Sequence, residues 1–127
     1  MNPPLQDRFR GCLLGLAVGD ALGGRFEAQN ASHIRSRFAN ASQLMASVPT
    51  AIASFALTPH SFLETIGNVI FLGGDTDTMA AMAGALSGAY LGMSGIPPSL
   101  VDHLESSPKG RAYILALADR LYAAHLA

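Results

Sequence analysis

Gly11, Gly15 and Gly19 recur every four residues, and Ala80, Gly84, Gly88 and Gly92 repeat that spacing far downstream. Positions four apart share one face of a helix. A glycine inside a helix costs about 1 kcal/mol of propensity against alanine. A helix that accepts that cost three times on one face is shaped for close backbone approach. Two such stripes predict two helices pressed together in the centre of the fold.

The remaining spacing is also helical, and the chain reads as all-α. Leu5, Phe9, Leu13 and Leu16 predict a first helix over about residues 5–22. The polar run 30–40, with His33, Arg35 and Arg37, breaks the pattern and reads as a solvated connector. Residues 41–57 are apolar, and Val48-Pro49 should start or kink a helix there. Ser61 is placed to cap the next helix, with Glu64 as its capping-box partner. That helix, 62–72, ends at Gly73-Gly74, and its last residues 69–72, the only run with any strand alternation, are assigned to helix. Asp75 or Thr76 caps a helix over about 77–93, whose second face carries Met79, Met82, Leu86, Tyr90 and Met93. The segment 95–99 with Pro97-Pro98 ends it, 100–105 adds one short turn, and 106–110 is a loop. Residues 111–126 form a last amphipathic helix with Ile114, Leu117 and Leu121 inward.

With 127 residues the expectation is one domain covering 1–127. Half of the chain is apolar and only 13% is charged, against about a quarter in ordinary domains. Such a chain is very buried, lacks part of its partner surface, or meets a membrane. The uncharged stretch 78–101 is long enough to span, but it is rich in Ala and Gly, interrupted by Pro97-Pro98, and has no basic flank. No membrane association is expected. The start of the chain lacks a signal-peptide layout. Net charge is −1 and aromatics are scattered, which excludes a nucleic-acid binder. The single cysteine, Cys12, excludes an internal disulfide, reads as a core residue, and places the chain in the reducing cytoplasm. The four histidines lack metal-ligand spacing, and Lys109, Arg111 and Arg120 read as a solvated face. Asp20, at the end of the first helix, reads as a buried hydrogen-bonding residue rather than a ligand.

Asp75-Thr76-Asp77-Thr78 is the one place where two acids fall within three residues. It follows two glycines and heads a helix, whose first amides and dipole favour anions. Two close carboxylates repel unless a cation sits between them. The cluster reads either as oxygen ligands for a hard divalent cation or as a helix cap. A cap needs one Asp, and the second acid and second threonine are surplus to it. An EF-hand is excluded, because 79–86 offer no further oxygen ligands and no glycine or glutamate at the required positions. No phosphate-binding lysine loop, nucleophile elbow or zinc spacing occurs.

The stretch 71–90, Phe-Leu-Gly-Gly-Asp-Thr-Asp-Thr-Met-Ala-Ala-Met-Ala-Gly-Ala-Leu-Ser-Gly-Ala-Tyr, closely resembles the carboxy-terminal metal motif of the ADP-ribosylglycohydrolase family. Residues 9–23, followed by Phe26-Glu27, resemble its opening helix, and 47–52 resemble the segment preceding the metal motif. The matches cover roughly 9–28 and 45–98. The resemblance implies an all-α fold with a binuclear magnesium site, manganese being the alternative ion. It implies cleavage of the glycosidic bond joining ADP-ribose to a protein side chain or a small molecule. Carried across by position, Asp75, Asp77 and Thr78 are metal ligands, Gly73 and Gly74 contact substrate, and Glu27 is the catalytic acid residue near the scissile bond. The implied partner is ADP-ribose or an ADP-ribosylated substrate.

The chain departs from the family in its middle. The Thr-Asp-Asp-Thr motif that supplies the other half of the ligands is absent, as is the glycine-rich loop for the diphosphate and adenosine. Residues 29–44 bridge directly from the opening segment to the late one, as an internal deletion, a mis-assembled reading frame or a decayed copy would. The expectation is a helical domain lacking the family's middle helices, with oxygens for one hydrated ion. Marginal stability and self-association through exposed apolar faces follow. Two functions stand: a hydrolase retaining magnesium-dependent activity, and a non-catalytic remnant that binds magnesium and ADP-ribose weakly.

Overall fold

The computed structural model describes the backbone of residues 2–37 and 47–127 and the side chains of 2–24 and 47–127. Among the described residues there are six α-helices and no strand: α1 Leu5–Arg37, α2 Ser47–Leu57, α3 Phe62–Leu72, α4 Thr76–Leu91, α5 Pro98–Asp102 and α6 Arg111–Leu126. A single 3-10 turn, Met93–Gly95, links α4 to α5.

The two glycine stripes meet as expected. A Cβ added at Gly11 would strike the Gly88 carbonyl, one at Gly15 the Gly84 carbonyl, and one at Gly19 the Ala80 carbonyl. Each step of four up α1 is a step of four down α4, so the helices run antiparallel in a fixed register. The register extends one step beyond the expectation, to Gly23 against Thr76. The seam is bare backbone on backbone, and the larger side chains pack around it. Leu14 and Val18 of α1, Met79, Ala80 and Ala83 of α4, and Phe62, Ile66 and Val69 of α3 form the core, with Ala51 and Ile96 at its margins. α2 and α3 are joined by a polar tie. The Thr58 hydroxyl donates to the Ser54 carbonyl (3.2 Å), the Thr65 hydroxyl donates to the Thr58 carbonyl (3.0 Å), and the Asn68 amide donates to the Thr58 hydroxyl (3.1 Å). α6 is held against α1 by Asp119, which accepts from Arg10 Nε (2.7 Å), Arg10 Nη2 (2.9 Å) and Gln6 (3.0 Å).

Several expectations are corrected. The first helix does not stop near residue 22 but runs to Arg37. The polar run ends the apolar stripe without ending the backbone ladder, because no proline stands between Pro4 and Pro49 to remove an amide. Residues 38–40 of the expected connector and 41–46 of the apolar segment after it, with the side chains of His33, Arg35 and Arg37, lie outside the described residues. α4 ends at Leu91, earlier than expected, because Gly92 takes φ 77°. Pro98 belongs to the start of α5 rather than to a break before it. Leu121 is not inward: it is 46% exposed, and Ala118 is the residue of α6 that is fully buried. Asp20 is exposed rather than buried, because it lies about 100° around α1 from Gly19 and so faces away from the seam. Cys12 is half-buried, and burial pushes its thiol up. Leu57, Phe71 and Leu126 are exposed at 76, 85 and 65%. No helix among the described residues is long and apolar enough to cross a membrane.

Candidate functional site

The acidic turn lies between α3 and α4. The Ser61 hydroxyl accepts from the Glu64 amide (3.3 Å) and starts α3. Gly73 ends it, with φ 72° and its amide donating to the Val69 carbonyl (3.0 Å). Gly74 follows at φ 83°. Two consecutive residues in this region are strained for any side chain, so the Gly-Gly pair is what turns the chain sharply enough to launch α4. The Thr76 amide then donates to the Gly74 carbonyl (2.9 Å) and the Met79 amide to the Asp75 carbonyl (3.0 Å).

Asp75 occupies the N-cap position, but its side chain makes no cap hydrogen bond. Thr76 does not cap either. Its hydroxyl is fully buried and donates across the seam to the Gly23 carbonyl of α1 (2.8 Å). Asp75 thus holds the expected cap position without a side-chain bond, and Thr76, the alternative, is an anchor to α1 rather than a cap. Asp75 and Thr78 are exposed and Asp77 is half-exposed. The Asp77 carboxylate accepts from the Thr78 amide (2.6 Å) and from the Thr78 hydroxyl (3.4 Å). A hydrogen bond from the Asp75 carboxyl, ahead of the Thr78 amide, holds Asp77 below the usual carboxylate range. The Asp77 carboxylate and the Thr78 hydroxyl thus lie together at the solvent-facing head of α4, next to the exposed Asp75.

The site is pinned to α1 at Gly23 and Gly24. A Cβ at Gly23 would strike the Thr76 carbonyl, and one at Gly24 would stand 3.9 Å from the Asp77 Cβ. Glu27 lies one helical turn beyond Gly23, so the backbone carries it toward the same end of the α1–α4 pair. Its side chain lies outside the described residues. Gly73 is buried and Gly74 half-buried. The structure therefore brings Gly73, Gly74, Asp75, Asp77 and Thr78 together, and places the Glu27 backbone on the adjoining turn of α1. Sequence reasoning missed Thr76 as the anchor of the site. Continuing the four-residue register one step past Gly19 and Ala80 pairs Gly23 with Thr76 and would have found it.

The donor set is chemically narrow. Two carboxylates and a hydroxyl, all open to solvent, supply oxygens on one side of a hard cation and leave the rest of its shell to water. That suits one Mg²⁺, which dehydrates reluctantly. It does not suit a pair of ions, and among the described residues no cluster of three or more His, Cys, Asp or Glu forms.

The family model described as ADP-ribosylglycohydrolase matches the chain in two blocks, residues 1–45 and 35–126. The chain is 49% identical over 63 residues to the ADP-ribosylhydrolase ARH3 of Mus musculus, covering 42% of this chain and 17% of that protein. It is 50% identical over 68 residues to the ARH3 of Xenopus tropicalis, covering 46% of this chain and 19% of that protein. The ARH3 of Homo sapiens is 48% identical over 63 residues, with 42% and 17% covered. The matched stretch thus spans less than a fifth of the length of these relatives. No solved structure matches.

Proposed function

The chain belongs to the ADP-ribosylglycohydrolase family, and from that premise we propose that it hydrolyses the glycosidic bond between ADP-ribose and a protein side chain or small molecule, with Asp75, Asp77 and Thr78 holding one hydrated Mg²⁺ or Mn²⁺. The observation that carries this reading is the grouping of the Asp77 carboxylate, the Thr78 hydroxyl and the exposed Asp75 at the head of α4. Anchoring of that turn by the buried Thr76 hydroxyl supports it. Bound there, the ion supplies Lewis-acid polarisation of ribose hydroxyls and water. The chain's own residues do the rest. The lowered Asp77 carboxyl stays ionised at neutral pH and orients the ion's water shell. Gly73 and Gly74, without side chains, let a ribose or diphosphate approach the backbone of the turn. Glu27, on the adjoining turn of α1, takes the role of proton acceptor. The same reading places the protein in the cytoplasm and gives it self-association through exposed apolar side chains such as Leu57 and Phe71.

A second reading, binding without turnover, is favoured by the donor set itself, which provides for one ion and not for a two-ion clamp. One experiment separates the two. Purified protein is heated with and without Mg²⁺ and ADP-ribose, and release of free ADP-ribose from an ADP-ribosylated peptide is followed in parallel. A ligand that binds only the folded chain raises the midpoint by mass action. Hydrolysis predicts a midpoint shift and Mg²⁺-dependent release, both lost in the Asp75→Asn/Asp77→Asn double variant. A shift without release establishes the binding module. Neither, in a chain that unfolds cooperatively, refutes the proposed site.

A further inference from the structure

α2 and α3 lie side by side, tied by the Thr58, Thr65 and Asn68 hydrogen bonds, and a groove of about 320 Å³ runs between them. Thr50, Ala53 and Leu57 of α2 and Asn68, Phe71 and Leu72 of α3 line it. Spacings of three and four residues put each set on one face of its helix. Among the described residues no charged side chain lines the groove. Phe71 lines it and is nevertheless 85% exposed, Leu57 is 76% exposed and Leu72 38%. A cavity of about 150 Å³ is enough for a benzene ring, so the groove has room for a phenyl side chain. One patch thus carries both a projecting ring and a recess of a size to take one.

We infer that this face is the interface of a two-fold symmetric dimer, in which the Phe71 ring of each copy enters the groove of the other. The inference deepens the self-association proposed above and rests on it, and it is independent of catalysis. A two-fold contact uses the same patch on both copies, so the patch must complement itself. A ring beside a ring-sized recess meets that condition. Leu57, Phe71 and Leu72 leave roughly 350 Å² of apolar side-chain surface open on each copy. Interfaces are about 60% apolar, so closing this one removes roughly 1,200 Å² in total, the lower end of the range for specific dimers. That area fits a dimer of micromolar affinity. With a net charge of −1, two copies meet little mutual repulsion.

Sedimentation equilibrium of the full chain from about 1 to about 500 µM, a span that brackets a micromolar dissociation constant, should show the mean mass rising from 13.2 kDa toward twice that value. Phe71→Ala removes the ring and should weaken the dimer at least about thirtyfold, the factor that one hot-spot side chain supplies. Its far-UV spectrum should stay unchanged, because the ring is exposed. Ala53→Trp, at an exposed position, fills the recess and should weaken the dimer as much. An equimolar mixture of the two variants should associate more tightly than either alone, because the ring of the Ala53→Trp chain meets the open groove of the Phe71→Ala chain. If Ala53→Trp does not fold, the wild-type series and Phe71→Ala decide. A monomer at every concentration overturns the self-association itself. A dimer that survives Phe71→Ala, or a mixture that stays as weak as each variant alone, leaves self-association standing and overturns this interface.

Discussion

A single hydroxyl decides where the acidic turn sits. Asp75 and Asp77 face solvent, while Thr76 between them is fully buried and bonded to the Gly23 carbonyl of α1. Thr76→Val keeps the shape and removes the donor, and should lower unfolding stability by about 1–2 kcal/mol. Thr76→Ser should recover most of the loss, and urea unfolding of the two variants checks the pair. At the other end of α1, Asp119 is held below the usual carboxylate range by its hydrogen bond to Arg10 and then by that to Gln6. A carboxyl depressed in the folded state contributes stability above its unfolded value, near pH 3.9, and loses it as pH falls through the folded value. Asp119→Asn should therefore be less stable than wild type at neutral pH and should lose less on acidification. Urea midpoints collected from about pH 7 to about pH 2.5 test this. The pair is partly exposed, so the difference should shrink in high salt.

At the scale of helices, Gly15 and Gly84 have a predicted response opposite to that of Gly67. A Cβ at Gly15 or Gly84 meets the backbone of the partner helix, which cannot move aside without opening the seam. Gly15→Ala and Gly84→Ala should each destabilise by about 2 kcal/mol or more, the overpacking cost exceeding the gain in helix propensity. Gly67, on the exposed side of α3, has nothing within 4 Å of an added Cβ. Gly67→Ala should stabilise by about 0.5–1 kcal/mol, for the same propensity reason without the collision. Thermal or denaturant midpoints of the three variants are sufficient. The elements that were legible in the sequence are those with punctuation written into them. α3 begins at a Ser61 cap and ends at two glycines, and α6 follows a Pro-Lys-Gly loop, so both were read to the residue. The α1–α4 pairing was legible because a four-residue spacing of small residues has one geometric meaning. The length of α1 was not, because polarity reports solvent rather than backbone geometry. Nor was the exposure of Leu121 and Asp20, because which face of a helix is covered depends on neighbours distant in the chain. In the site, the acids and glycines were legible as a motif, whereas the role of Thr76 required knowing that Gly23 lies opposite it.

As a whole, the molecule is organised around contact between its first helix and a helix much later in the chain. The Thr76–Gly23 bond spans 53 positions. A seam that is continuous along two helices should hold without the connection between them. Residues 1–37 and 47–127, prepared as separate fragments, should therefore associate when mixed and recover helicity and a cooperative unfolding transition. Gly15→Ala in the shorter fragment should prevent recovery, and circular dichroism of the mixtures against the sum of the separate spectra tests both statements. The backbone-on-backbone register has a consequence for the history of such chains. The entropy of closing a flexible loop grows only with the logarithm of its length, about 0.6 kcal/mol for each doubling. Segments can thus be gained or shed between α1 and α2 at small entropic cost while the two paired helices keep their alignment.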